Sequence, residues 1–190
     1  LADVMEGIEA ARASGIGAVK LNAVLMRGIN ENQIWPLVKF AAEKQLILRF
    51  IELMPVSLTE MLDERNFFPV AEAKELIARH TAMIPDAGRY GSGPAQYFRL
   101  PELGVTLGFI GAITNLHFCD TCNKMRLTAD GKIRPCLGNH GEIDLKPALR
   151  PAVDLEGLRE LFLAALRDKP LEHQFRNNYH PGRIMTAIGG

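Results

Sequence analysis

Two strand-like runs separated by one helical stretch constrain this chain more than any other feature. Val19-Lys20-Leu21-Asn22-Ala23-Val24-Leu25-Met26 alternates in strand fashion with β-branched content, and Leu46-Ile47-Leu48-Arg49-Phe50-Ile51-Glu52-Leu53-Met54 is a nearly continuous apolar run closed by Pro55. Between them, Arg27-Gly28-Ile29-Asn30 makes a turn. The pattern predicts a helix capped at Asn30, with Glu31 and Gln33 in its first turn and Pro36 near its start, running to about Lys44. A strand, a helix and a second strand cannot close as a hairpin, so the two strands are expected to run parallel, the second covered on both faces. Ahead of them, Val4, Met5, Ile8 and Ala11 recur at helical spacing, and Gly15 and Gly17 stop the helix. Residues 1–55 therefore read as α-β-α-β within a parallel α/β sheet or barrel. Functional residues of such barrels gather at strand C-terminal ends, which places Asn22, Met26, Arg49, Glu52 and Met54 at or near a potential site.

The pattern then changes. Residues 56–69 read as a polar loop, 70–80 as an amphipathic helix and 86–94 as a Gly-rich break; short strands follow at 96–100 and 105–111, and an amphipathic helix at 155–167. The tail beyond Pro170 has no hydrophobic period. This organisation predicts one domain over residues 1–60 and a second over 61–190. Lys plus Arg equal Asp plus Glu at 22 each, so there is no whole-surface attraction to nucleic acid or anionic lipid, and any anion site must be local. There is no apolar run long enough to span a membrane, and Asp3 and Glu6 stand where a signal peptide would need a basic start; a cytoplasmic protein is expected. The chain opens at Leu1 inside a helical pattern, from which an upstream portion is expected.

All three cysteines fall in one segment, spaced Cys119-x2-Cys122-x13-Cys136. Two thiolates three residues apart can close on one metal centre through a tight turn. Asp130-Gly131, between two short strand-like runs, folds Cys136 back toward them. Three readings compete: a Cys3His zinc site recruiting His117, His140 or His173, a redox C-x-x-C pair, or an iron-sulfur cluster on three cysteines with one iron open to a ligand. From 119 to 150 the segment carries six Lys and Arg against four Asp and Glu, a local basic excess where a polyanion could dock.

Here the residues become specific. Cys119-Asp120-Thr121-Cys122-Asn123-Lys124-Met125-Arg126-Leu127-Thr128-Ala129-Asp130-Gly131, followed by Ile133-Arg134-Pro135-Cys136-Leu137, closely resembles the C-terminal cluster segment of the molybdenum-cofactor biosynthesis protein A family, the GTP 3′,8-cyclases of the radical S-adenosylmethionine group. The strand residues 19–22, residues 49–55 and the ending Arg183 to Gly190 are similar as well, so the resemblance spans essentially the whole chain. The fold it implies is α/β: the last strands of an incomplete (βα)6 radical S-adenosylmethionine barrel followed by an α+β auxiliary-cluster domain. The chain has no Cys before Cys119, so the family's C-x3-C-x2-C motif is absent from it, and it is expected to be a C-terminal portion that starts no radical reaction alone.

The resemblance implies conversion of GTP to (8S)-3′,8-cyclo-7,8-dihydroguanosine 5′-triphosphate by radical S-adenosylmethionine chemistry, the first step of molybdopterin cofactor biosynthesis. Cys119, Cys122 and Cys136 match the ligands of the auxiliary [4Fe-4S] cluster, whose open iron contacts guanine. Lys20, Arg49, Lys124, Met125 and Arg126 match the GTP site, and Met54 matches a position contacting S-adenosylmethionine. Lys124 stands where the family usually has Arg, keeping the charge but losing the bidentate fork, and Met125 is expected to contribute backbone. Gly189 and Gly190 match a tail needed for catalysis, whose lack of side chains suits a crowded pocket. The intact enzyme would also carry a second [4Fe-4S] cluster. The resemblance implies neither nucleic acid nor membrane as partner and is compatible with a homodimer of the intact enzyme. The alternative is a zinc-stabilised nucleotide-binding or interaction module without catalysis.

Overall fold

The computed structural model describes residues 1–56, 64–88, 90–177 and 179–188. They form two compact units, one of Leu1–Leu53 with Glu64–Thr114, the other of the residues from Asn115 onward together with residues 54–56. The expected division after residue 60 lies outside the described residues. The helix and strands of Glu64–Thr114 group with the N-terminal strands.

The first unit is a mixed α/β layer. Helix α1 (Ala2–Ala13) leads to β1 (Lys20–Leu25), a 3-10 turn at Glu31–Gln33, α2 (Ile34–Glu43), β2 (Ile47–Glu52), α3 (Val70–Ala78), β3 (Ile84–Pro85), β4 (Gln96–Leu100) and β5 (Val105–Ile110). The sheet order is β1-β2-β5-β4-β3: β1, β2 and β5 are parallel, and β4 and β3 complete it antiparallel. Leu25, Leu48, Phe50, Leu107 and Phe109 form one buried face, on which Ile34, Val38 and Ala41 of α2 and Ala73 and Ile77 of α3 pack. A fully buried side chain of this size contributes roughly 1.5–3 kcal/mol, so this face is the unit's main source of stability.

Two local expectations are corrected. Along β2 burial alternates, with Leu48, Phe50 and Glu52 buried and Ile47, Arg49 and Ile51 half-buried, because α2 and α3 both pack on the Phe50 side. Asn30 does not cap α2 with its side chain. Its amide closes the preceding turn, donating to the Val24 carbonyl and accepting from the Met26 N–H, and the helix proper starts at Ile34. Pro36 is thereby the third helical residue, where its missing N–H would have had no partner in the helix. At the other end Gln45 takes φ 53°, and Leu46 N–H and Gln45 N–H reach back to the carbonyls of Ala41 and Ala42. That pattern satisfies the last carbonyls and sends the chain directly into β2.

The second unit is built on a hairpin. β6 (Arg126–Leu127) and β7 (Lys132–Arg134) pair antiparallel, and β8 (Ile143–Asp144) adds to β7. Gly131 takes φ 80° in the connecting turn, which Asp130-Gly131 forms as expected. A short helix α4 (Lys146–Leu149) and the long α5 (Leu155–Arg167) follow, α5 capped by Asp154, which accepts from Gly157 N–H at 3.0 Å. Leu158, Leu161 and Ala165 of α5 pack on Ile133 and Leu145 of the hairpin layer. Among its described residues the tail has no regular structure before a 3-10 turn at Met185–Ile188 and is held by aromatic rings: His173, Phe175 and Tyr179 are buried. Gly138 is the tight point, since a Cβ there would lie 2.7 Å from His173 Cβ and 2.8 Å from the Phe175 ring. Among the described residues no helix is long and apolar enough to cross a membrane.

Candidate functional site

In the first unit, a polar row crosses the sheet face opposite the core, between apolar side chains such as Ile47 and Ile51. Asn22 and Arg49 are register partners on β1 and β2, and Arg49 Nε donates to Asn22 Oδ1 at 2.8 Å. The row continues across the sheet through Gly108 on β5 to Tyr97 on β4. A Cβ on Gly108 would lie 2.9 Å from both Arg49 Cγ and the Tyr97 ring, so the glycine leaves the room those two side chains occupy. Tyr97 packs against Tyr90 with ring centroids 4.5 Å apart, and Lys20 Nζ donates to the Tyr90 carbonyl. Tyr90 hydroxyl donates to Asp86 at 2.6 Å, and this bond, with the Gly88 N–H, holds the Asp86 carboxyl below the usual carboxylate range. Lys20 and Arg49 are thus brought onto one face, with two tyrosines beside them. The tyrosines and Gly108 escaped the sequence reading; a glycine interrupting the apolar run 105–111 was the available signal.

Glu52, at the end of β2, is fully buried and points to the other side. Its Oε1 accepts from the Val70 N–H at 3.1 Å and from the Thr114 hydroxyl, and its Oε2 from the N–H groups of Ile113 at 2.8 Å and Thr114 at 3.0 Å. Its place at a strand end reflects support: it fastens the start of α3 and the chain after β5 to β2. Met54, two residues on, is half-buried and its carbonyl accepts from Val56 N–H at 2.8 Å.

The second unit holds the cysteines. All three thiols are free and half-buried, and Cys122 N–H donates to the Cys119 carbonyl at 3.0 Å, giving the tight turn expected of C-x2-C. Cys136 follows β7 on the returning arm. Burial pushes the Cys136 thiol up, and the charges of Cys119 and Cys122 add to that, while Gly138 N–H and Lys169 oppose it. Among the described residues no three His, Cys, Asp or Glu are drawn together tightly enough to form a metal site. The three histidines considered as zinc ligands have other partners: His117 Nδ1 lies 2.9 Å from Asp120, His140 stacks on Tyr179, and His173 sits between Phe118 and Phe175.

The basic residues beside the cysteines divide by environment. Lys124 is exposed, and its carbonyl accepts from Lys169. Met125 packs into the Ile133, Leu145 and Ala165 cluster, so its side chain belongs to the core of the unit. Arg126 lies on β6 in register with Arg134. Arg134 is only 2% exposed, donating to Tyr179 hydroxyl at 2.7 Å and lying 3.4 Å from Glu142. Arg183 grips Asp130 with both nitrogens at 2.9 and 3.0 Å and reaches Glu142 at 2.9 Å. This fork holds the Asp130 carboxyl well below the usual carboxylate range and ties the tail to the hairpin turn. Gly189 and Gly190 lie outside the described residues. Lys169 and Arg183 had no local signal, because their partners lie tens of residues away, as does Tyr179, the partner that accepts from Arg134.

Proteins named GTP 3′,8-cyclase are similar to the whole chain: that of Petrotoga mobilis is 41% identical over 187 residues, covering 98% of this chain and 57% of its own length. Those of Moorella thermoacetica and Pelotomaculum thermopropionicum are 42% and 38% identical, each over 100% of this chain and 58% of their own length. The chain thus spans less than two thirds of the curated relatives it matches. A family model described as Molybdenum Cofactor Synthesis C matches residues 46–175, taking in β2, the polar row across the sheet from Arg49 and the entire cysteine hairpin. With most of its length matched, the three cysteines included, the chain belongs to the Molybdenum Cofactor Synthesis C family.

Proposed function

We propose that the chain is the substrate-holding, C-terminal part of a GTP 3′,8-cyclase, a cytoplasmic enzyme acting early in molybdenum cofactor biosynthesis. The observation that carries this reading is the trio Cys119, Cys122 and Cys136 flanking one hairpin, free and half-buried, in a chain matched over its own length by proteins of that name. Soft thiolates suit an iron-sulfur centre, and three rather than four match a cluster with one iron open to substrate. Cys119, Cys122 and Cys136 would hold the auxiliary [4Fe-4S] cluster. When bound, that cluster anchors the guanine base, while S-adenosylmethionine and a second cluster, carried by the intact enzyme, supply the radical chemistry.

The residues of this chain position and neutralise. A triphosphate needs several cations, and the family resemblance gives this role to Lys20, Arg49, Lys124 and Arg126. Asn22 holds the Arg49 guanidinium by its Nε, leaving the terminal nitrogens to grip a phosphate. Met125 contributes backbone to the GTP site, in keeping with a side chain committed to the core. Met54 contacts S-adenosylmethionine. Gly189 and Gly190 would serve catalysis, and Arg183, six residues before Gly189, is tied to Asp130 of the hairpin turn. The parallel strands β1, β2 and β5, with cations on the face away from the helices, support placing them in an incomplete (βα)6 barrel.

Anaerobic reconstitution followed by metal and sulfide analysis tests the reading. Iron and acid-labile sulfide near four each per chain are expected; stoichiometric zinc without sulfide refutes the cluster and leaves a zinc-stabilised binding module. In the intact enzyme, Arg126→Ala should weaken GTP binding roughly 10- to 100-fold, the loss of one charge-assisted contact. Unchanged affinity would remove Arg126 from the substrate site.

A further inference from the structure

Lys169 follows α5 directly, and its side chain runs into the cysteine segment. Its Nζ donates to the Lys124 carbonyl at 2.7 Å and to the Pro135 carbonyl at 2.7 Å, and lies 3.8 Å from Cys122 Sγ. Lys124 stands two residues after Cys122 and Pro135 one before Cys136, so one ammonium bridges the arm carrying the first two cysteines and the arm carrying the third. An ammonium has three donors, and here all three have acceptors: two carbonyl oxygens and a ligand sulfur. The anchor is firm because Leu158, Leu161 and Ala165 pack α5 on the hairpin, which fixes where residue 169 emerges.

We propose that Lys169 is a positioning residue of the cysteine centre: it sets the separation of the two ligand arms and places a positive charge and an N–H donor against a ligand sulfur. This rests on reading Cys119, Cys122 and Cys136 as ligands, and extends that reading to a residue outside the motif. Two consequences follow from the chemistry. Without the pin, the arms are held by the hairpin alone and the centre is lost faster. Without the charge, an electron added to the cluster is less well compensated, so its reduction potential falls; net charge and hydrogen bonds to sulfur are the protein's main controls on that quantity. The pin predicts a loss of metal retention whether the centre is iron-sulfur or zinc, so the proposal does not stand or fall with the metal.

The test uses the full chain, reconstituted anaerobically with iron and sulfide or loaded with zinc, as wild type, Lys169→Met (similar length, no charge) and Lys169→Arg. Lys169→Met should keep the wild-type circular dichroism and lose its centre to a chelator roughly 10-fold faster, as removal of a supporting contact to a metal ligand does elsewhere. If the centre is a cluster, its midpoint potential should also become more negative, with Lys169→Arg restoring both properties. Equal retention in Lys169→Met and wild type overturns the proposal. Failure of the wild type to take up iron and acid-labile sulfide refutes the cluster reading alone, because retention can still be compared in the zinc-loaded proteins. Should Lys169→Met fail to fold, wild type grown with nitrogen-15 lysine decides: the reduced cluster, or cobalt(II) placed in a zinc site, should show a nitrogen-15 coupling that Lys169→Arg abolishes. A wild type lacking that coupling overturns the contact.

Discussion

Glu52→Gln is the most direct test of how the first unit is held together. The wild-type carboxylate accepts four hydrogen bonds, three from backbone N–H groups. A glutamine fits the space and does best with its carbonyl oxygen in the Oε2 position, where it keeps the Ile113 and Thr114 N–H groups. Its amide then takes the Oε1 position. It can donate to the Thr114 hydroxyl, but it faces the Val70 N–H donor to donor. One buried donor is left unpaired, costing roughly 1.5–3 kcal/mol, and the two surviving bonds fall from charged to neutral strength. The expected destabilisation is about 2–4 kcal/mol. Urea unfolding followed by tryptophan fluorescence reads this unit specifically, because Trp35 is the single tryptophan, lies on α2 and stacks on His80 at 4.3 Å. Glu75→Gln on the exposed side of α3 serves as control and should stay within about 0.5 kcal/mol. A Glu52→Gln midpoint equal to wild type at unchanged slope would show that water reaches these groups and that the carboxylate is not what joins α3 and residues 113–114 to β2.

Two further outcomes follow. The Arg183 fork lowers the Asp130 carboxyl below its unfolded value near 4, so its contribution is complete above that value and lost only as pH falls through the depressed native one. Hydrogen exchange at residues 185–188 should therefore stay protected through mildly acid pH in wild type and be faster at neutral pH in Asp130→Asn, which cannot accept a charged fork; protection lost already near pH 5, or unaltered by Asp130→Asn, would contradict this. Gly108→Ala should destabilise the first unit by about 1–3 kcal/mol, since Arg49 Cγ and the Tyr97 ring would both have to yield, and a urea midpoint unchanged from wild type would mean that they move freely.

Much of the architecture was legible because it is written at short range. The runs 19–26 and 46–54 flank one helix, and β1 and β2 pair in parallel as that order requires. Asp130-Gly131 turns a hairpin because only those few residues need to agree on its backbone. The spacing of the cysteines left three readings open, whereas the residue run around them resembled the family, which the matches over the chain bear out. Arg49, a charge inside an apolar run, was conspicuous for the same local reason, and it faces away from the core.

What the tertiary structure decided involves partners distant in sequence. That β5 would pair in parallel with β2, placing Gly108 between Arg49 and Tyr97, depends on strand register that no local periodicity encodes. Glu52 looked like a site residue because of its strand-end position. Its role became clear only when its acceptors met donors 18 to 62 residues along the chain. Arg134, Lys169 and Arg183 read as ordinary surface cations in one dimension; folding buries one and aims the others at backbone carbonyls and carboxylates. Local sequence determines elements, turns and ligand types, since propensity and periodicity act over a few residues. Which charge meets which acceptor is settled only once packing has brought remote segments within hydrogen-bond reach.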